Sequence, residues 1–318
     1  MLKQISLLIL CAAAIVWFAT PVQACTSAVV SGKVTPDGRP LLWKNRDTDF
    51  MQNHIDYVKG EKYNFIAVVN SANAYLKEAW MGTNSSGFAL MNTQSYNLVD
   101  VKGDEERGAA NGRVIYRALE VCATVEDFCH FLDTISKPSD IEANFGVIDA
   151  QGGAAMFEVD YHKYVMYDAN NPKDAPYGYI ARTNFSFAGK VNEGAGYVRY
   201  MEADQVLMKA SATGSITPQF IFNDLSRSFR NRMLDIDLRS GAYNRPQASG
   251  WFVDQDFIPR SSTSCSVVVQ GVKPGEKAEL TTMWTLLGYP PTGIAIPLWV
   301  KDAGKLLPGM VRFGKEHE

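Results

Sequence analysis

The junction Val22-Gln23-Ala24-Cys25-Thr26 limits what this chain can become more than any other stretch. Ahead of it, Lys3 supplies a short positive region, Ile5 to Phe18 runs apolar or small, and Val22-Gln23-Ala24 is a small-residue cleavage site. That is the layout of a secretory signal. Cleavage between Ala24 and Cys25 would leave a mature chain whose first residue carries a thiol and a free α-amine side by side. Behind the junction, Cys25 to Val30 is small or β-branched and reads as a strand. The fold expected here is therefore one whose first strand carries the mature N-terminus to the place where that pair is used.

The apolar run is shorter than the roughly 20 residues a helical span needs, and no later segment is long and apolar enough to cross a bilayer. The expectation is a periplasmic or secreted protein with no membrane span after signal removal. Of the 318 residues, 1–24 are the signal, and 25–318 read as a single domain, because no linker, charge run or internal repeat divides them. With 31 basic against 34 acidic side chains and no basic stripe, nucleic acid is not an expected partner. No GxGxxG or P-loop pattern follows a strand, and the four histidines show no metal-ligand spacing. Neither a nucleotide nor a zinc site is therefore expected. Cys122 and Cys129 flank a helix junction, either as a disulfide or as two small buried hydrophobes. Oligomeric state stays open, a homo-oligomer included.

Taken in order, Thr35-Pro36-Asp37-Gly38-Arg39-Pro40 is dense in turn formers, and Leu41 to Asp47 returns as a second strand. This hairpin brings Asp47 back toward the level of Cys25. Further strands are expected at Tyr63 to Val69, Ala79 to Gly82 and Gly87 to Asn92. Others are expected at Phe145 to Asp149, Ala154 to Val159, Tyr164 to Tyr167 and Tyr179 to Asn184. Helices are expected at Arg113 to Cys122, from the Thr124 N-cap to Ile135, at Tyr197 to Lys209 and at Pro218 to Met233. Strands at Ser262 to Gln270, Ala278 to Leu287 and Ile294 to Val300 close the chain. Antiparallel sets with helices grouped between them favour α+β with layered sheets over a parallel βαβ fold.

As a mature N-terminus, Cys25 offers an amine with an ordinary pKa of about 7.7–8.0 beside a thiol of about 8.5. Near neutral pH a good fraction of that amine is uncharged and can take the thiol proton, an established activation of an N-terminal nucleophile. Two bland readings stand beside it. A cysteine after a signal is also where bacterial lipoproteins are acylated, which would give a lipid-anchored, non-catalytic binding protein. It can also be merely structural.

Cys25-Thr26 opening a strand, with Asn45-Arg46-Asp47 after a turn, resembles the choloylglycine hydrolase superfamily of N-terminal-nucleophile hydrolases. That group takes in bile salt hydrolases, penicillin V acylases and penicillin acyltransferase-like proteins. Asn84-Ser85-Ser86-Gly87-Phe88 with Leu90-Met91-Asn92, Arg182-Thr183-Asn184, and Ser262 to Ser266 followed by Met283-Trp284 extend the resemblance over the mature chain. The resemblance implies a four-layer αββα sandwich and a cysteine amidohydrolase that cleaves a small-molecule N-acyl amide without metal or cofactor. An acyltransferase is the alternative. It implies Cys25 as nucleophile with its own amine as base, and Asp47 as the carboxylate orienting them. Asn184 and Asn92 would be oxyanion donors, and Arg199 would fix the local charge network. The sequence departs in one place: many bile salt hydrolases have Arg-Asn-x-Asp, whereas here Lys44 precedes Asn45 and Arg46 lies on the opposite pleat from Asp47.

Overall fold

The computed structural model describes residues 24–99, 108–240 and 256–311. The expected signal, apart from its last residue, and most of the polar loop after Asp100 lie outside them. Two antiparallel sheets carry the fold. The first has the strand order β10-β1-β2-β13-β14-β15. Its members are β1 (Thr26–Val30), β2 (Leu41–Asp47), β10 (Tyr179–Arg182), β13 (Thr263–Gln270), β14 (Thr282–Leu287) and β15 (Ile296–Leu298). The second runs in sequence order from β3 (Asn53–Val58) and β4 (Phe65–Asn70) through β5 (Met81–Asn84) and β6 (Ala89–Gln94). It continues with β7 (Ala143–Ile148), β8 (Ala154–Val159) and β9 (Tyr164–Asp168). A two-residue hairpin, β11 (Arg230–Asn231) with β12 (Ile236–Asp237), stands apart.

Three apolar cores show how the layers stack. Val29, Leu42, Val267 and Met283 from the first sheet meet Ile66, Met81, Met91 and Met156 from the second, all buried. On the far face of the second sheet, Phe65, Leu90 and Phe145 pack against α1 (Asn111–Val121) and α2 (Val125–Thr134) through Ile115, Leu119, Phe128 and Leu132. On the far face of the first, Ala28, Leu41, Trp43 and Val268 pack against α3 (Tyr197–Ala212) through Ala203 and Leu207. Two faces per sheet and helices on both outsides make the four-layer αββα sandwich. Because both faces are covered, β1 and β2 are buried along their whole length, polar residues included.

Most expected elements stand where the sequence puts them, with a few departures; Ala278 to Leu287, for one, is a strand only from Thr282, after a 3-10 turn over Ala278–Leu280. Pro218 to Met233 is not one helix. A single α turn over Pro218–Phe220 passes into a π turn over Ile221–Leu225, where Ser226 N donates to Ile221 O at 2.8 Å. The chain leaves the helix where Ser226 is bonded to the outer face of the first sheet. Its hydroxyl meets Trp43 Nε1 and Ser266 Oγ, and its carbonyl accepts from Asn45 Nδ2. The edge strand β3 has no counterpart among the expected elements, since Asn-His-Ile-Asp-Tyr-Val shows no clean alternation. Ile294 to Val300 keeps only three strand residues before α4 (Val300–Leu306). Cys122 and Cys129 do not pair; both are free, Cys122 being a buried member of the helix-side core.

Candidate active site

The β1–β2 hairpin places the site. Thr26 faces Asn45 and Ser27 faces Lys44, so the register carried on sets Cys25 beside Arg46 and Asp47 level with the Ala24–Cys25 bond. Cross-strand partners share a face of the sheet. Cys25, Lys44 and Arg46 accordingly turn toward the second sheet, while Thr26, Asn45 and Asp47 turn toward α3. Cys25 Sγ lies 3.8 Å from the backbone oxygen of Asp47.

On the α3 side, Arg199 ties four groups together. Nη1 donates to Cys25 O at 2.6 Å and to Thr26 Oγ1 at 3.0 Å, Nη2 to Asn184 Oδ1 at 3.0 Å, and Nε to Asp256 Oδ1 at 2.9 Å. It is a buried arginine at the start of α3, and Gly196 makes room for it. That glycine caps the helix at φ +84° and its Cβ, if it had one, would strike the Arg199 guanidinium. Only glycine adopts that backbone without strain. Asn184 is fully buried, its Nδ2 donating to Gln94 O at 2.8 Å while its backbone bridges to Ala195.

Asp47 accepts a 2.5 Å hydrogen bond from Thr263 Oγ1 on Oδ1. Its other oxygen, Oδ2, is buried with no hydrogen-bond partner among the described residues. Burial pushes its carboxyl up to about 7, against the pull of Arg199, the Thr263 hydroxyl and Arg260. Asn45 Oδ1, two residues away on the same pleat, is a second buried acceptor without a partner there.

On the side facing the second sheet stand two buried cations. Lys44 Nζ donates to Asn92 Oδ1 at 2.9 Å and to Trp80 O at 3.0 Å. The Arg46 guanidinium donates to Asn53 Oδ1 and to Asn70 Oδ1, and lies 4.7 Å from the centre of the Trp80 ring. Burial pulls Lys44 down to about 8, with Cys25, Cys265 and Asp47 opposing and Arg46 assisting. Cys265, next to Arg46 across β2–β13, is a further buried thiol, pushed up by desolvation.

The structure thus brings Asp47, Asn184 and Arg199 into one set of contacts around Cys25, with Asn92 joined to it through Lys44. Sequence reasoning missed Thr263, Gln94 and Trp80. Thr263 was legible in principle, since it lies in the Ser-Thr-Ser-Cys-Ser stretch that pairs with β2. Gln94, and Trp80 toward Lys44, act through backbone oxygens, which no side-chain pattern reveals. Among the described residues no group of three or more His, Cys, Asp and Glu side chains is placed to hold a metal ion. No helix there is long and apolar enough to cross a membrane.

A family model described as acyl-coenzyme A:6-aminopenicillanic acid acyl-transferase matches residues 34–211, more than half of the sequence. No curated protein sequence matches. Among solved structures, a mutant of the conjugated bile acid hydrolase from Clostridium perfringens is similar at 15% identity and a TM-score of 0.49. That likeness covers 86% of this chain and 92% of the other. Penicillin V acylase of Agrobacterium tumefaciens is similar at 15% identity and a TM-score of 0.45, over 83% of this chain and 82% of the other. The Caenorhabditis elegans ortholog of N-acylethanolamine-hydrolyzing acid amidase reaches 17% identity and a TM-score of 0.42, over 63% and 89%.

Proposed function

We propose that this chain, which belongs to the acyl-coenzyme A:6-aminopenicillanic acid acyl-transferase family, is an exported cysteine amidohydrolase acting on a small-molecule N-acyl amide. The observation that carries the reading is Asp47 Oδ2, a carboxylate oxygen buried alone beside the Ala24–Cys25 bond. A buried acceptor left unpaired costs about 1–3 kcal/mol, more if charged. Removal of residues 1–24 would put an α-ammonium at that level, a group with three N–H donors for Asp47 Oδ2 and Asn45 Oδ1.

In the mature protein the neutral amine of Cys25 takes the thiol proton, and the sulfur attacks the amide carbonyl. The oxyanion is met by the side-chain amide of Asn184 and by Asn92 through its backbone or side chain; a donor of this kind is worth about 3–4 kcal/mol in the transition state. Asn184 is held for this by an N–H given to Gln94 O at 2.8 Å and by Arg199 on its Oδ1. The protonated amine then passes its proton to the leaving nitrogen, the amine product departs, and water hydrolyses the thioester. Arg199, bonded to both Cys25 O and Asn184 Oδ1, sets the spacing between nucleophile and oxyanion donor.

Two measurements test this. Intact mass of the exported protein is expected to give a chain starting at an unmodified Cys25; a diacylglyceryl adduct there sinks the enzyme reading. Cys25→Ser should lower turnover of N-acyl amides by at least about 10³-fold while the protein still folds, and unchanged turnover removes Cys25 from the reaction. The family's own description favours a second reading, transfer of the thioester acyl group to an amine. Acylated product appearing when amine acceptors are added would select it over hydrolysis.

A further inference from the structure

We propose that Arg46 and the indole N–H of Trp80 form a carboxylate site beside Cys25, so that the preferred substrate is an N-acyl amino acid carrying a free acid on its amine half. The inference deepens the amidohydrolase reading and rests on Cys25 as its nucleophile. Arg46 turns toward the second sheet, next to Cys25 on β1 by the register carried on and next to Cys265 on β13. It is only 3% exposed, and among the described residues no carboxylate pairs with it. Its hydrogen bonds go to two neutral amide oxygens, Asn53 Oδ1 on β3 and Asn70 Oδ1 on β4. The groups that favour its charge are the two thiols, and Lys44, on the same pleat, adds a like charge. A guanidinium has five N–H donors and no acceptor, of which the bonds to Asn53 and Asn70 take two. Trp80 supplies one more. Its ring centre lies 4.7 Å from the Arg46 guanidinium, and its Nε1 is buried with no partner among the described residues. A buried charge without a counter-charge is costly to fold around. Donors in excess of acceptors, with a planar fork among them, fit a carboxylate, which only accepts.

The frame of the site decides which half of the substrate carries that acid. Asn184 lies on the β10 side of β1: Ser27 faces Arg182, and the register carried on brings Asn184 level with Cys25. An oxyanion turned to Asn184 sends the rest of the amide toward β2, on the other side of β1. The α-amine that protonates the leaving nitrogen stands at the Asp47 level of β2, next along the strand from Arg46. The leaving nitrogen therefore lies between Cys25 and β2, and a carboxylate on the carbon attached to it falls on the Arg46 side. Cys25 is itself only 7% exposed, so a substrate that reaches the thiol meets the guanidinium beside it. The acyl chain is not selected by these groups; the charge of the amine product is.

The test measures kcat and KM on matched pairs, an N-acylglycine and its N-acylglycinamide, with phenylacetyl, decanoyl and cholyl as acyl groups. The proteins are the mature wild type, Arg46→Met and Trp80→Phe. Wild type is expected to favour the acid over the amide by about 100-fold in kcat/KM, the range of hydrogen bonds lost to a charged group. Arg46→Met should bring that ratio to within about threefold of one, chiefly through a raised KM for the acid. Trp80→Phe keeps a ring under Arg46 and removes only the N–H; it should lower the ratio by about 10-fold. An acid preference that survives in Arg46→Met, with both substrates slowed alike, means that Arg46 serves the Cys25 thiolate and overturns the proposal. So does a wild type that turns over the amide as fast as the acid, an outcome that leaves the amidohydrolase reading standing. If Arg46→Met does not fold, the wild-type ratio and Trp80→Phe decide alone. Wild type inactive on every pair overturns the amidohydrolase reading itself, and this inference with it.

Discussion

A carboxyl group with one oxygen bonded and the other buried alone is costly to fold around, and Asp47 is such a group. Its pKa is raised by burial from 3.8 to about 7. The folded chain therefore holds that proton more tightly than the unfolded one. The stability it lends is full below about pH 4 and is lost as pH rises through about 7. An α-ammonium beside Oδ2 reverses the balance, because an opposite charge at close range favours the carboxylate. The 318-residue chain should accordingly lose thermal stability between pH 4 and 7, by on the order of 3 kcal/mol, and Asp47→Asn should flatten that loss. The chain starting at Cys25 should show a smaller loss, shifted to lower pH. Identical melting profiles for the long and mature chains would mean that the amine does not reach Asp47. The residue types of this site were largely legible in the sequence, because Cys25, Asp47, Asn92, Asn184 and Arg199 sit in recognisable strings. Their hydrogen bonds were not: Arg199 spans 174 residues to reach Cys25 O, a distance only the fold closes.

At the scale of elements, what holds the Thr183-Asn184 segment against the sheets is a buried ion pair from two strands. Arg182 Nε on β10 meets Glu158 Oε1 on β8 at 2.6 Å. The same carboxylate accepts from Phe187 N at 2.8 Å and Ala188 N at 2.6 Å, fixing the chain that runs on from Asn184. Phe187 in turn covers the Arg182 guanidinium, 3.9 Å from its ring centre. Glu158→Ala leaves a buried guanidinium and two amides unpaired, so it should cost about 3–5 kcal/mol in denaturant unfolding. A loss under about 1 kcal/mol would show the carboxylate to be dispensable. Elements of this kind were unevenly legible. The hairpin around Gln151-Gly152 and the Thr124 N-cap, which forms a capping box with Asp127, announce themselves in local sequence. The break after Phe220 does not, because Ile221, Leu225 and Phe229 keep helical spacing while the bonds that unwind the chain go to Trp43, Asn45 and Ser266. Tertiary contacts there outweigh local preference.

Across the whole molecule, the site and the stability of the fold are carried by different layers. Cys25, Asp47 and Arg199 belong to the first sheet and α3, whereas the aromatic cluster around Phe128 lies on the opposite outside, under α1 and α2. Composition and strand order pointed to layered antiparallel sheets, and the number of layers came only from the family resemblance, because nothing local tells a sheet how many neighbours it has. Phe128 is the centre of that remote layer. Its ring lies 5.1 Å from Phe157, 5.9 Å from Phe145, 6.1 Å from Phe131 and 6.3 Å from Phe88, centre to centre, and it is fully buried. Phe128→Ala removes the ring and leaves a cavity that strands β7 and β8 cannot close without moving, at a cost of about 3–5 kcal/mol. The hydrogen bonds that join Cys25, Asp47, Asn184 and Arg199 do not run through that cavity, whose wall meets the site only at Phe145, the cross-strand partner of Asn92. The variant is therefore expected to melt well below wild type and to keep its kcat per folded molecule within about twofold at a temperature where both are folded. Loss of kcat in fully folded Phe128→Ala would show that the helix layer, on the far side of the second sheet, takes part in setting the geometry around Cys25.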